Sequence, residues 1–258
     1  MSIKENQIQF PLVLKPNVGD QGYKVAICNT NAELKAYFKA NNFDVLIQEY
    51  IDYDKEYGLF FYIDPITNIG TISSLCEKVS LTVVGNGQDT VAKLMEQKDR
   101  AFIQLHRLKK ENSHLLSYIP SKSEKVLLEP IANHRRGALF KNVNHNITSK
   151  LVESFNTLSE QTPDFKYIRY DLKCKSLNDL ESLENFSILE INGITAEPAH
   201  IYDPEYKAKE VFKDLAFHWQ TMSLIAKKQI QNGIKPMSMY NFFIHIRKYN
   251  AHKRKLIK

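Results

Sequence analysis

The sequence predicts a mixed fold, α+β or α/β, and three observations predict it. Short apolar stretches of strand length alternate with amphipathic stretches of helix length, and turns containing glycine and asparagine separate them. Two of the strand-like stretches also carry polar residues in pairs. Arg169-Tyr170-Asp171 lies within 166–172, and Glu190-Ile191-Asn192, 19 residues further on, ends 186–191. Residues i and i+2 of a strand share a face, so Arg169 points with Asp171, and Glu190 with Asn192. If the two strands are neighbours, one cation, two carboxylates and one amide oxygen converge. These are hard oxygen ligands suited to Mg²⁺, with an arginine to hold a phosphate or an oxyanion.

Each element has its own signal. Residues 10–14 and 23–27 read as short strands, and 31–40 as a helix with an Asn start and apolar Leu34, Tyr37 and Phe38. Strands follow at 43–50 and 57–63, with the acidic loop 52–56 between them, then at 70–75 and 79–84. Gly85-Asn86-Gly87 is a turn, a helix starts near Asp89, and a polar helical region runs to about Asn112. A short strand at 126–128 and a helix over 146–160 precede the two polar-bearing strands. The last long helix spans 204–228, with Asp203 as its N-cap and Pro204 at its first position.

Composition sets the wider bounds. With 43% hydrophobic and 25% charged residues, the 258-residue chain has an ordinary globular make-up and can bury one sizeable core or two smaller ones. No apolar run approaches 18 residues and the first residues lack the apolar core of a signal peptide, so no transmembrane segment is expected. Cys28, Cys76 and Cys174 are odd in number and widely spaced, which argues for buried thiols in a reducing cytoplasm and against a disulfide framework or a zinc site. The net charge of +6 is local: no acid follows Asp214, and residues 215–258 carry nine bases, leaving 26 bases against 29 acids elsewhere. Such a segment meets nucleic acid, an anionic membrane or an acidic partner, or is a solvated tail. The tail is favoured and nucleic acid is not the expected partner. Tyr240, Phe242, Phe243 and Ile246 suggest that its first half docks as a helix, leaving only the last few residues free.

Near the N-terminus, Leu14-Lys15-Pro16 ends a strand and Asn17-Val18-Gly19-Asp20-Gln21-Gly22 follows. A lysine at a strand end can bind phosphate as a point charge, and two nearby glycines let backbone N–H groups face phosphate oxygens. The Gly-Lys-Ser/Thr ending of a P-loop is absent, and a plain hairpin remains the commoner reading. Val45-Leu46-Ile47-Gln48-Glu49-Tyr50-Ile51, followed by Glu56, reads as a strand running into an acidic hinge. Its backbone could pair with an adenine edge and Glu56 could accept from ribose hydroxyls, although a buried strand with a solvated acidic loop is the favoured reading of this stretch alone.

Taken in order, Lys-Pro-(x)2-Gly-(x)2-Gly, Gln-Glu-Tyr-Ile with Glu56, Arg-x-Asp and Glu-x-Asn resemble the ATP-grasp superfamily of carboxylate–amine ligases, in particular its D-alanine–D-alanine ligase, glutathione synthetase and cyanophycin synthetase branches. Val83-Val84-Gly85-Asn86-Gly87-Gln88-Asp89-Thr90 is similar to a cyanophycin-type segment, with Asn86 in place of the usual Asp. The resemblance runs from about residue 10 to 203. It implies an α+β ATP-grasp fold in which two subdomains clasp ATP between antiparallel sheets. It divides the chain into a partial N-terminal subdomain at 1–65, with the phosphate loop and hinge, a C-terminal subdomain at 66–228 with the metal site, and a basic segment at 229–258.

The resemblance also implies roles. Lys15 would hold the α- or β-phosphate, while Gly19, Gln21 and Gly22 would close over the triphosphate. Glu49, Tyr50 and Ile51 would line the adenine site, Glu56 would take the ribose, and Lys78 would be a second phosphate lysine. Asp171, Glu190 and Asn192 would hold one or two Mg²⁺ ions, or Mn²⁺, and Arg169 would stabilise the acyl phosphate and tetrahedral intermediate. The implied activity is an ATP-dependent, ADP-forming ligase that joins a carboxylate to an amine. A small-molecule kinase and a non-catalytic or partner-dependent ATP-binding module are the alternatives. For substrate contacts, Arg135 and Arg136 beside Gly137 could bind a carboxylate, and Glu197 an incoming ammonium. Family members carry a substrate domain before the first strand, where only nine residues stand here, so either a partner, a second copy or the C-terminal segment covers that face, or the chain is truncated relative to a longer ancestor.

Overall fold

A computed structural model describes residues 8–19 and 22–257. Its strands and helices, in chain order, are β1 (Leu12–Pro16), β2 (Ala26–Cys28), α1 (Asn31–Ala40), β3 (Val45–Glu49), β4 (Lys55–Ile63), β5 (Gly70–Val79), β6 (Leu81–Val84), α2 (Val91–Glu96), α3 (Asp99–Phe102), α4 (Leu105–Glu111), β7 (Lys125–Glu129), β8 (Leu139–Asn142), α5 (Ser149–Ser159), β9 (Tyr167–Cys174), α6 (Leu177–Glu181), β10 (Phe186–Asn192), α7 (Ala208–Gln231) and α8 (Met239–Ile257). The chain divides into two units, 1–52 with 233–258 and 53–232. Among the described residues, no helix is long and apolar enough to cross a membrane. The mixed α+β class with antiparallel sheets is the one expected from the sequence.

In the first unit β1 is the centre of a three-stranded antiparallel sheet, order β2-β1-β3. Leu14 and Cys28 pack beneath α1 through its Leu34. Thr30, not Asn31, caps that helix by accepting from the Glu33 amide.

The second unit is built on a five-stranded antiparallel sheet, order β10-β9-β4-β5-β8. One face is apolar: Leu59, Phe61, Leu75, Ile168, Tyr170 and Leu172 pack against Leu151 and Phe155 of α5 and Leu180 of α6. Each such side chain, fully buried, contributes about 1.5–3 kcal/mol, which anchors the sheet and leaves its other face available for polar groups. A two-stranded ribbon, β6-β7, packs with α2 and α4 around Val83, Leu94 and Leu108. At the ribbon end Gly85 is required by space, because a Cβ there would meet the Ser121 carbonyl at 2.2 Å. Asn86 holds the turn, accepting from the Gln88 and Asp89 amides.

Several expected elements are corrected. β5 is one continuous strand, not one that stops at 75, because Cys76 to Val79 pair with the unforeseen β8. Glu56 stands within β4 and not in a loop. The polar helical region is three short helices, with Lys98 extended between two of them and its ammonium donating to the Thr82 carbonyl at 2.6 Å. α5 starts at Ser149, capped by Thr148, after a 3₁₀ turn at Asn144–Asn146. Asp203 is no N-cap: its carboxylate accepts from the Asn142 and Glu205 amides at 2.7 and 2.9 Å, and α7 begins only at Ala208. Within the basic segment Met239–Ile257 form one helix, with Tyr240 and Phe243 exposed and His252 Nε2 3.1 Å from the Val18 carbonyl. Cys28, Cys76 and Cys174 are buried and unpaired, as their spacing suggested.

Candidate functional site

The second face of the five-stranded sheet carries the polar residues. Glu190 lies opposite Asp171, and Asn192 opposite Arg169, so the four share a face. A bulge between Ile188 and Glu190 makes this so. Ile188 pairs with Leu172 on the apolar face, and without the extra residue Glu190 and Asn192 would turn into that core. On β4, Gly58 pairs with both Asp171 and Cys76, which places Glu56 and Lys78 on the same face one step further along.

The side chains meet at Asp171. Lys78 Nζ lies 3.1 Å from Asp171 Oδ1 and 3.5 Å from Glu56 Oε1. Arg169 donates from Nε to Oδ1 at 3.1 Å and from Nη2 to Oδ2 at 3.2 Å, and Asn192 Nδ2 donates to Oδ2 at 3.2 Å. Gly58 makes room for this. A Cβ there would sit 3.3 Å from the Ala199 Cβ and 3.5 Å from Asp171 Oδ1. The Phe140 ring of β8 covers the ammonium, its centroid 5.8 Å from Lys78 Nζ.

Burial and charge act oppositely on the two acids. Burial pushes Asp171 up, but Lys78 and Arg169 outweigh it and hold the carboxyl below the usual range. For Glu56 burial prevails over Lys78 and Lys173, and its pKa is raised. Asp171 is thus the firm anion on this face, and its four acceptor positions are filled by four donors.

Mg²⁺ is commonly held by one or two carboxylates, with phosphate and water completing an octahedron at about 2.0–2.1 Å. Asp171 and Glu190, facing each other across the β9–β10 pair, match that pattern in donor type and register, and exposed Glu190 is open to a ligand. A cation at Asp171 would displace one of its present donors. Among the described residues, no three His, Cys, Asp or Glu side chains form a protein-only metal cage.

The other expected residues are spread out. Arg136 faces inward and pairs through Nε with Glu129 at 2.8 Å, while Arg135 is exposed. The Glu197 carbonyl accepts from Arg169 Nη1 at 3.1 Å, and its carboxylate accepts from the Tyr202 hydroxyl. In the first unit Lys15 stands on β1, Gly19 and Gly22 follow it, and Gln21 lies outside the described residues. Glu49 ends β3, while Tyr50 and Ile51 form the connector after it, the Tyr50 amide donating to the Pro11 carbonyl at 3.3 Å.

Two networks carried no sequence signal. His200 bridges Ser74 Oγ (2.7 Å) and Asp214 Oδ2 (2.8 Å). Ser74 and His200 are 0% and 1% exposed, so this is an anchor tying the 199–202 turn to β5 rather than a nucleophile. His218 Nδ1 lies 2.9 Å from the Tyr167 hydroxyl, and burial lowers the imidazole pKa to about 4. The partners are 126, 14 and 51 residues apart, beyond any local pattern.

The ATP-grasp resemblance read from the motifs is supported by a family match over the first part of the chain. The family pattern that matches is that of the RimK-like ATP-grasp domain, over residues 1–72. Among solved structures, the crystal structure of a bifunctional glutathione synthetase from Pasteurella multocida is similar at 17% identity and a TM-score of 0.41, covering 81% of this chain and 31% of that one. The chain therefore spans less than a third of that protein's length. No curated protein matches it.

Proposed function

We propose that the chain is an ATP- and Mg²⁺-dependent ligase that joins a carboxylate to an amine through an acyl phosphate, releasing ADP. The observation that carries this reading is the cluster of Lys78, Arg169 and Asn192 around Asp171, with Glu190 in register beside it. The RimK-like match over 1–72 supports it independently.

The cluster suits the charge problem of the reaction. A substrate carboxylate must approach the γ-phosphate, and two anions repel. Its oxygen forms a bond to phosphorus as the bond to the β-phosphate oxygen breaks, and the amine nitrogen then attacks the carbonyl carbon and phosphate leaves. Asp171 and Glu190, with Asn192, are the groups that would hold Mg²⁺, which neutralises phosphate charge when bound. Asp171 aims the Arg169 guanidinium, which also donates to the Glu197 carbonyl, and this oriented cation is the group that would meet developing oxyanion charge. Lys78, with a side chain only 8% exposed, is a second fixed cation. Lys15, Gly19 and Gly22 are the candidate phosphate groups of the first unit, and Glu49, Tyr50 and Ile51 its candidate adenine contacts. Glu56 remains the candidate for the ribose.

The test is ADP formation by the purified chain with ATP and Mg²⁺ against a matrix of carboxylates and amines. ADP that requires both partners supports the ligase. ADP formed with an alcohol alone makes the chain a kinase, and ATP binding without turnover in any combination makes it a binding module.

A further inference from the structure

The second unit contains a cavity of about 140 Å³ between α7, the 194–198 stretch and the start of β9. Tyr167 lines it, two residues before Arg169 on the same face of β9, and Glu197, whose carbonyl Arg169 holds, forms part of the wall. Ile194, Met222, Trp219 and His218 also line it. The volume is close to the roughly 150 Å³ of a cavity that accommodates one benzene, although this cavity is partly open to solvent and its accessible lining is more polar than apolar. There is room for a phenyl ring or a branched aliphatic chain. Charge bears on the occupant too: among the described residues the lining has one acid, Glu197, whose carboxylate also accepts from the Tyr202 hydroxyl, and neither Lys nor Arg. Burial keeps the His218 imidazole neutral at pH 7. An acidic side chain would find no counter-charge there, whereas an ammonium would find Glu197.

We propose that this cavity is the side-chain subsite for the amine substrate, taking the aromatic or branched aliphatic side chain of an amino-acid-like primary amine while the Glu197 carboxylate holds its ammonium. The proposal rests on the ligase reading for the identity of its occupant as a substrate. Its physical basis is the juxtaposition of a partly open cavity of about 140 Å³, the Glu197 residue in its wall and the arginine that holds the Glu197 carbonyl.

Trp219 lines the cavity and is the one tryptophan of the chain, so its fluorescence reports occupancy without any need for turnover. The full chain, with Mg²⁺ and a non-hydrolysable ATP analogue, is titrated with L-leucine, L-phenylalanine and L-glutamate. The expected result is a saturable change with leucine or phenylalanine and at least about a 10-fold higher half-saturation for glutamate. Ala196→Leu, which adds three carbons to the wall, should abolish the response while Mg·ATP still raises Tm, showing that the variant is folded. Glu197→Gln should raise the half-saturation by about 10-fold. No response to either apolar amino acid, an equal response to glutamate, or undiminished binding by Ala196→Leu overturns the proposal. ADP formation that prefers an acidic amine overturns the cavity and leaves the ligase standing. Saturable binding with no ADP formed from any carboxylate overturns the ligase and leaves the cavity as a binding site.

Discussion

Lys78 Nζ lies 3.1 Å from Asp171 Oδ1, joining β5 to β9 across the glycine of the strand between them. The two side chains are 8% and 11% exposed, so the pair is largely withdrawn from water. Removing one partner of such a pair costs more than the pair itself contributes, because the other charge stays buried. Asp171→Asn, which leaves Lys78 and Arg169 facing a neutral amide, should lower unfolding stability by about 3 kcal/mol at pH 7. A cycle with Lys78→Met should show coupling of about 0.5–3 kcal/mol in urea unfolding. Additive losses would mean that the contact has no energetic weight.

Glu190 gives the cleaner test of the metal assignment. It is exposed and faces Asp171 across β10 and β9. Substituting an exposed residue usually changes stability by no more than about 0.5 kcal/mol. Glu190→Gln should therefore leave the urea midpoint in place and reduce Mg²⁺-dependent ADP formation by about 100-fold. Full activity would remove Glu190 from the site.

His218 makes stability pH-dependent. Burial, with a smaller push from His200 that exceeds the pull of Asp214, lowers its pKa from 6.5 to about 4. Between those values the unfolded chain binds the proton and the folded chain does not, so stability rises with pH across the window. It is complete above about 6.5 and lost progressively as pH falls toward 4, by about 3 kcal/mol at 1.4 kcal/mol per unit. His218→Gln, which keeps an acceptor for the Tyr167 hydroxyl, should flatten that part of a Tm-against-pH profile. An unchanged slope would place the proton elsewhere.

What was legible in the sequence follows the reach of local rules. The period of two placed Arg169 with Asp171 and Glu190 with Asn192, and the antiparallel register brings the pairs together. The Leu189 bulge that makes the faces agree has no local marker, since it depends on which residues of β9 lie opposite. Lys78 was suggested by resemblance alone. Its contact with Asp171 needs β4 between the two strands and a glycine at position 58. Asp203 misled because Asp-Pro is an ordinary helix start, and only the tertiary structure shows its carboxylate already committed to the Asn142 amide of β8. The His218 pair needs α7 to pass over β9, and nothing near position 167 or 218 announces it.

Arg135 and Arg136 looked equivalent as carboxylate binders, and their surroundings separate them. Glu129 is 1% exposed and accepts from Arg107 Nη1 at 2.6 Å, from Arg136 Nε at 2.8 Å and from the Ile131 amide at 3.0 Å. That acid holds the end of β7 to α4 and to the turn before β8. Glu129→Gln should cost about 2–4 kcal/mol, since both guanidinium groups lose their buried anion while keeping the more exposed Glu111 within 3.6 Å. Arg136→Ala removes one donor and leaves Arg107, so a smaller loss of about 1–3 kcal/mol is expected. Arg135 is exposed, and Arg135→Ala should stay within about 0.5 kcal/mol of the parent in urea unfolding. Steady-state kinetics complete the separation. If either arginine binds the substrate carboxylate, its loss raises KM, and only Arg135 can show that effect without a fall in Tm. A raised KM for Arg136→Ala at unchanged Tm would reverse the assignment and make the Glu129 pair incidental to stability.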